Sequence, residues 1–174
     1  MAMALPLILV VEDNPRTQEA LRQEFTKDGC VVEIVGSAEL AIERLHRKPE
    51  PDVVVLDFIL PGKNGPWLFQ ESLKDGITQR IRFVPFTQEV NHPKSPEDDA
   101  VDEFRMIQQA VPAAEAPHPI IPKFENDKEI PLELLLSVMH GIRKRGVPLP
   151  STMVDHMRKL LKEKEGEENG EEGK

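Results

Sequence analysis

Residues 51–65 read PDVVVLDFILPGKNG. Val53–Leu56 is a short, continuous apolar run rich in β-branched residues. It predicts a strand buried on both faces, as in the middle of a parallel sheet. The run stops abruptly at Asp57. A helical stretch follows over Asn64–Leu73, with Trp67, Leu68 and Leu73 available for packing.

A second run of this kind lies upstream. Leu5–Val11 reads LPLILVV and ends at the acidic pair Glu12 and Asp13. Between the two runs, Arg16–Lys27 repeats Ala20, Leu21 and Phe25 at roughly helical spacing. Ala38–Arg47 has an apolar side of Leu40, Ala41, Ile42 and Leu45. Gly29 suits the stop of the first helix and Ser37 the cap of the second. Val31–Val35 fits a strand between them. The order is strand, helix, strand, helix, strand, and that alternation predicts right-handed crossovers with helices on both faces of the sheet.

Downstream, Ile81–Phe86 is a short strand, with Pro85 awkward in its interior because it lacks a ladder donor. Residues 91–100 read as a loop, Asp99–Gln109 as a helix, Pro112–Pro119 as a loop and Ile120–Ile121 as the core of a short strand. Glu129–Lys144 supplies the last main helix, with Pro131 in its first turn. GVPLP then breaks the chain. Residues 152–164, capped by Ser151, suggest an appended helix that packs on its own domain, associates or docks on a partner. The acidic stretch 165–174 is expected to be disordered.

The 174 residues allow one core, and 31 acidic against 22 basic residues give a formal charge of −9. That balance argues against a broad nucleic-acid surface. The basic triplet 143–145 reads as a solvated helix end. No stretch is apolar enough to span a membrane, and the start lacks the basic region of a signal peptide. Cys30 is the sole cysteine, so no internal disulfide forms and a reducing cytoplasm is expected. The five histidines form no metal signature.

Ligands gather beyond the carboxyl ends of parallel strands. Glu12, Asp13, Asp57, Thr87 and Lys123 all follow predicted strands, so they converge on one rim. Each alone has a plain structural explanation: a helix cap, a strand-end carboxylate, a surface lysine. Together they suggest chemistry. Neighbouring carboxylates repel unless a cation joins them, and Mg²⁺ suits oxygen ligands. Asp13 and Asp57 would bind it directly and Glu12 through water. Asp57 is a candidate nucleophile for an acyl phosphate. Lys123 and Thr87 would contact the phosphoryl oxygens.

With ILVVEDNP at 8–15, PDVVVLDFILPGKNG at 51–65, Thr87 and Lys123, the chain resembles the receiver domains of two-component response regulators from about Leu5 to Gly146. The resemblance implies an α/β, doubly wound, five-stranded parallel sheet of flavodoxin-like type with strand order 2-1-3-4-5. It implies Glu12, Asp13, Asp57 and the backbone carbonyl of Ile59 as Mg²⁺ ligands, Asp57 as phosphoacceptor, Thr87 as switch hydroxyl and Lys123 as phosphate-binding lysine. It also implies a histidine kinase or histidine phosphotransfer protein as donor. Residues 5–146 would be the receiver and 147–164 an extension.

Some positions depart from the family pattern. Gln88 stands where a small residue is usual and would crowd the phosphoryl site. Ile120 replaces the usual aromatic switch residue, and Phe124 replaces a proline after Lys123, so a trans bond is expected there. The fourth-helix region is about a dozen residues longer than usual, on a face where receivers pair into homodimers or signal. Ile59 and Glu89 hold the positions that tune phosphate loss in the family. Three functions are weighed: a phosphorylation-controlled relay module acting on a downstream protein, a phosphate-independent binding module and a metabolic enzyme. The third lacks a glycine-rich nucleotide loop. The chemistry of the first is limited to accepting phosphate and losing it by hydrolysis.

Overall fold

The computed structural model describes residues 4–88, 96–123 and 130–172. The five strands are β1 (Leu7–Val11), β2 (Val31–Val35), β3 (Val53–Leu56), β4 (Arg82–Gln88) and β5 (Ile121–Lys123). The helices are α1 (Pro15–Lys27), α2 (Ala38–Leu45), α3 (Gly65–Lys74), α4 (Pro96–Gln109), α5 (Leu132–Lys144) and α6 (Ser151–Glu172). All strand pairs are parallel, in the order β2-β1-β3-β4-β5. This is the doubly wound sheet that the alternation of apolar runs and helices predicts.

The apolar runs feed two cores. Ile8, Val10, Val53 and Val55 face one side, with Phe25, Leu134, Val138 and Ile142 from α1 and α5. Leu9, Val11, Val54 and Leu56 face the other, with Leu68, Phe69 and Phe104 from α3 and α4. Successive strand residues point to opposite faces, so a central strand must be apolar throughout. Asn14 caps α1, its side chain accepting from Arg16 N at 2.9 Å, and Asn64 caps α3 by accepting from Trp67 N at 2.9 Å.

The second half differs from expectation in its boundaries. β4 runs on through Thr87 and Gln88, which pair with Pro122 and Lys123 of β5. Pro85 is accommodated because Phe83 O accepts from His118 N, which places the odd-numbered polar groups of β4 on the β5 side. Pro85 lacks its donor there, one residue before the β4–β5 ladder begins at Phe86. The helix α4 starts at Pro96, inside the stretch read as a loop, while 91–95 lie outside the described residues. A turn of 3₁₀ helix occupies Ala113–Glu115. The expectations for Glu89 and for the Lys123–Phe124 bond also fall outside the described residues.

The last helix packs on its own domain. Met153 is fully buried, and Val154, Met157 and Leu160 lie half-buried against the α1–α5 core. Thr152 Oγ1 donates to Asp28 O at 2.9 Å, and His156 Nδ1 meets Asp28 Oδ1 at 2.9 Å. The expected disorder from residue 165 is not what the structure shows: α6 continues to Glu172, with 161–170 exposed. Glu and Lys are good helix formers, and a helix already nucleated on a docked turn extends at little cost. Among the described residues no helix is long and apolar enough to cross a membrane.

Candidate functional site

Two backbone bonds bring the carboxylates together. Asp57 N donates to Val11 O and Glu12 N to Val35 O, both at 3.0 Å, so the β3–β1–β2 ladder extends one step past the strands. Glu12 and Asp57 therefore leave adjacent strands at the same level. Both are buried, and the neighbouring Asp13 is exposed. Oxygens of Glu12, Asp13 and Asp57 lie within 4.8 Å of one another.

The other two sequence candidates arrive from β4 and β5. Thr87 is buried, and its Oγ1 donates to Asp57 Oδ1 at 3.1 Å. Lys123 Nζ donates to Asp57 Oδ2 at 2.9 Å and reaches Glu12 Oε2 at 2.5 Å. Phe58 N donates to Asp57 Oδ1 at 2.8 Å. Both oxygens of Asp57 are thus engaged by donors. The structure brings together Glu12, Asp13, Asp57, Thr87 and Lys123. Ile59 sits two residues past Asp57, half-buried in the loop after β3.

The electrostatics follow from crowding in a dry setting. Burial, then the Asp57 charge, pushes the Glu12 carboxyl up to about 7, against the opposing pull of Lys123. Burial disfavours the Lys123 ammonium, but the Asp57 and Glu12 carboxylates overcome it and hold its pKa above the ordinary value. One lysine for two buried carboxylates leaves negative charge uncompensated. Three carboxylates that reach a common point, with one lysine to offset them, fit a hard divalent cation.

Sequence reasoning missed the supports of this site. Asn14 N donates to Glu12 Oε1 at 3.0 Å and Gln18 Nε2 to Glu12 O at 2.6 Å, fixing the carboxylate from the first turn of α1. Gly65 N donates to Phe58 O at 2.8 Å. A Cβ at Gly65 would lie 2.5 Å from Asp57 O and 2.8 Å from Phe58 Cα, so only glycine lets α3 start against the acceptor loop. The Asn-Gly pair before a helix was the available signal. Of the departures from the family pattern, Gln88 is solvent-exposed at the end of β4, and Ile120 packs half-buried beside the α3–α4 core.

Residues 8–95 match the family of the response regulator receiver domain. The chain belongs to that family. Among curated relatives, this receiver is 30% identical over 83 residues to the transcriptional activator protein IrlR of Burkholderia pseudomallei, covering 48% of this chain and 35% of IrlR. The receiver thus matches about a third of the length of such relatives. Its fold is similar to the signal receiver domain of a putative LuxO repressor protein from Vibrio parahaemolyticus, with TM-score 0.62, 18% identity, and 82% and 94% of the two chains covered. The receiver domain of HemR from Leptospira biflexa, solved without phosphate, is 26% identical with TM-score 0.55, over 79% and 94% of the two chains. The acidic cluster and this kinship support an aspartate that accepts phosphate, and a divalent cation bound beside it.

Proposed function

We propose that this chain is phosphorylated on Asp57 by a histidine kinase or a histidine phosphotransfer protein, with Mg²⁺ as the cation, and that it signals by protein contact. The observation that carries the reading is the convergence on Asp57 of Thr87 and Lys123 beside two further carboxylates.

An Asp57 oxygen attacks phosphorus, the bond from phosphorus to the donor's imidazole nitrogen breaks, and that nitrogen is left as neutral imidazole or takes a proton. Lys123, already on Oδ2, follows the charge onto the phosphoryl oxygens, and Thr87 exchanges the carboxylate for a phosphoryl acceptor. Because Thr87 lies in β4 rather than after it, its reorientation is felt along the strand and the segment that follows. Glu12, Asp13, Asp57 and the Ile59 carbonyl would hold Mg²⁺, which when bound offsets charge on the incoming phosphoryl group. Hydrolysis of the acyl phosphate returns the carboxylate.

The receiver unit is taken as residues 5–146 with α6 as its appendage. An apolar cleft of about 550 Å³ beside β5 and α5, lined by Ile120, Pro122 and Leu136, supports output through a protein partner, a second copy included. A cytoplasmic setting suits the buried, solitary Cys30, whose thiol burial pushes up to about 12.

Incubation with acetyl phosphate, with and without Mg²⁺, tests the reading by intact mass. A gain of about 80 Da, the mass of one phosphoryl group, in the wild type and not in D57N is expected, dependent on the cation. No gain in either protein, together with no binding of beryllofluoride, would turn the reading toward a module that binds without phosphate.

A further inference from the structure

The far rim of the sheet carries a cluster that the phosphoacceptor site does not use. It lies where β4 begins, about 16 Å from Thr87 along the strand at the usual rise per residue. A cleft of about 260 Å³ opens there between the turn at Ile77–Gln79, the start of β4, the 3₁₀ turn at Ala113–Glu115 and the end of α5. Arg80, Arg82, Lys144 and Arg145 line it, with the polar side chains of Thr78 and Gln79, and no carboxylate does so among the described residues. Four cations around one cleft stand out in a chain whose net charge is −9.

The charges are only partly compensated. Glu50 serves Arg80 at 2.9 Å, Arg145 at 3.1 Å and Lys48 at 3.4 Å, and Asp52 meets Arg145 at 3.5 Å. Arg82 and Lys144 pair with no carboxylate among the described residues. Arg82 donates through Nη1 to Ala116 O, and its Nε is buried without a partner. Lys144 Nζ donates to Ala114 O at 3.2 Å. A cation that satisfies itself on neutral carbonyls gains less than one paired with an anion. The neighbourhood registers the excess: burial, then His140, Arg82 and Lys144, pushes the adjacent His118 down to about 4.

We propose that this cleft is a binding site for a small tetrahedral dianion, the phosphate group of inorganic phosphate or of a phosphate monoester. The forked guanidinium of Arg82 and the Lys144 ammonium supply the uncompensated charge, and Arg80 and Arg145 supply further donors, while the Thr78 hydroxyl is engaged with Glu115 Oε2 at 3.2 Å. Planar guanidinium groups match phosphate oxygens in pairs, and the cleft is large enough for such a group while open to solvent. The site is separate from Asp57 and stands whether or not that residue accepts a phosphoryl group.

The test is a titration of the full chain with inorganic phosphate at pH 8, in EDTA and at ionic strength held constant with chloride, followed by amide NMR. Saturable shifts are expected at Thr78–Arg82 and at Lys144 and Arg145. K144Q removes an exposed side chain and should weaken binding about tenfold, the loss typical of one charged hydrogen bond, with an unchanged melting temperature. R82Q should weaken it at least as much, and K144Q keeps the test valid if R82Q loosens the 113–119 segment. Glycerol phosphate in a parallel titration identifies the source: tighter binding than inorganic phosphate marks a monoester site, weaker binding a site for the free ion. Absence of saturation, equal shifts with chloride alone, or shifts confined to Asp57, Thr87 and Lys123 would overturn the proposal.

Discussion

Two buried groups at opposite rims of the sheet set opposing pH dependences, and their near-cancellation is open to measurement. His118 is 8% exposed and held down at about 4 by burial and by His140, Arg82 and Lys144. Its ordinary pKa is 6.5. Between pH 4 and 6.5 the unfolded chain binds this proton and the folded chain does not, so stability rises with pH through that window. The gap corresponds to about 3 kcal/mol. Glu12 is 2% exposed and pushed up to about 7 by burial and Asp57. Between pH 4.5 and 7 the folded chain holds its proton and the unfolded chain does not, so stability falls as pH rises, again by about 3 kcal/mol at most. Over pH 4.5–6.5 these two contributions offset each other. Urea unfolding in EDTA, extrapolated to water at several pH values, separates them. The pH profile of E12Q should rise relative to wild type by about 3 kcal/mol from pH 4.5 to 7, and that of H118F should fall relative to wild type by a similar amount from pH 4 to 6.5. A divalent cation should tilt the wild type towards the E12Q profile, because a metal ligand must be ionised. If E12Q and wild type run parallel in EDTA, the crowding of Glu12 against Asp57 is not felt as ionisation, and the argument for a cation-hungry site loses its electrostatic support.

Three further substitutions probe the framework. M153A empties a fully buried position where α6 meets the α1–α5 core and should cost about 2–5 kcal/mol in urea unfolding; no loss would mean that α6 is not docked. T87A removes the 3.1 Å bond to Asp57 and should slow phosphoryl uptake from acetyl phosphate about tenfold, read by intact mass over time; an unchanged rate would remove Thr87 from the site. G65A forces a Cβ into the Asp57–Phe58 backbone and should cost about 1–3 kcal/mol by thermal unfolding while lowering phosphoryl uptake; wild-type values for both would mean that α3 can shift away freely.

The first half of the fold was legible because its signals are local. LILVV at 7–11 and VVVL at 53–56 are buried throughout, and each is followed by a carboxylate at the level where the ladder carries it to the rim. The second half is governed by contacts between distant segments. Thr87 and Gln88 are drawn into β4 by β5, a three-residue strand with little pattern of its own. Whether α6 docks depends on Met153 finding a gap between α1 and α5, which helical periodicity alone does not reveal. The site was legible on the same terms: Glu12, Asp13, Asp57, Thr87 and Lys123 were all marked by strand ends, and the family resemblance added the switch role of Thr87 and the carbonyl of Ile59. Arg82 and Lys144 are 62 positions apart, and nothing in their surroundings signalled that they share a cleft.

The appended helix bears on how the receiver meets its partners. α6 begins beside Asp28, at the C-terminal end of α1, and climbs past α5 until Lys164 lies 3.7 Å from Glu133 in the first turn of that helix. The first turn of α5 follows β5, so that end of α6 lies on the same side of the sheet as the Asp57 rim. The exposed turns beyond Lys164 carry Glu165, Glu167 and Glu168. A donor protein that brings a phosphohistidine to Asp57 must approach this rim, so these carboxylates bear on its electrostatic steering. Because Met153, Thr152 and His156 fix the helix at its other end, shortening the chain after Lys164 removes those charges and leaves the docked turns in place. Truncation after Lys164 should therefore leave urea stability and acetyl phosphate uptake unchanged. The rate of transfer from a protein donor should change, with its largest effect at low salt. Equal transfer rates at low and high salt for both chain lengths would remove the acidic turns from donor recognition.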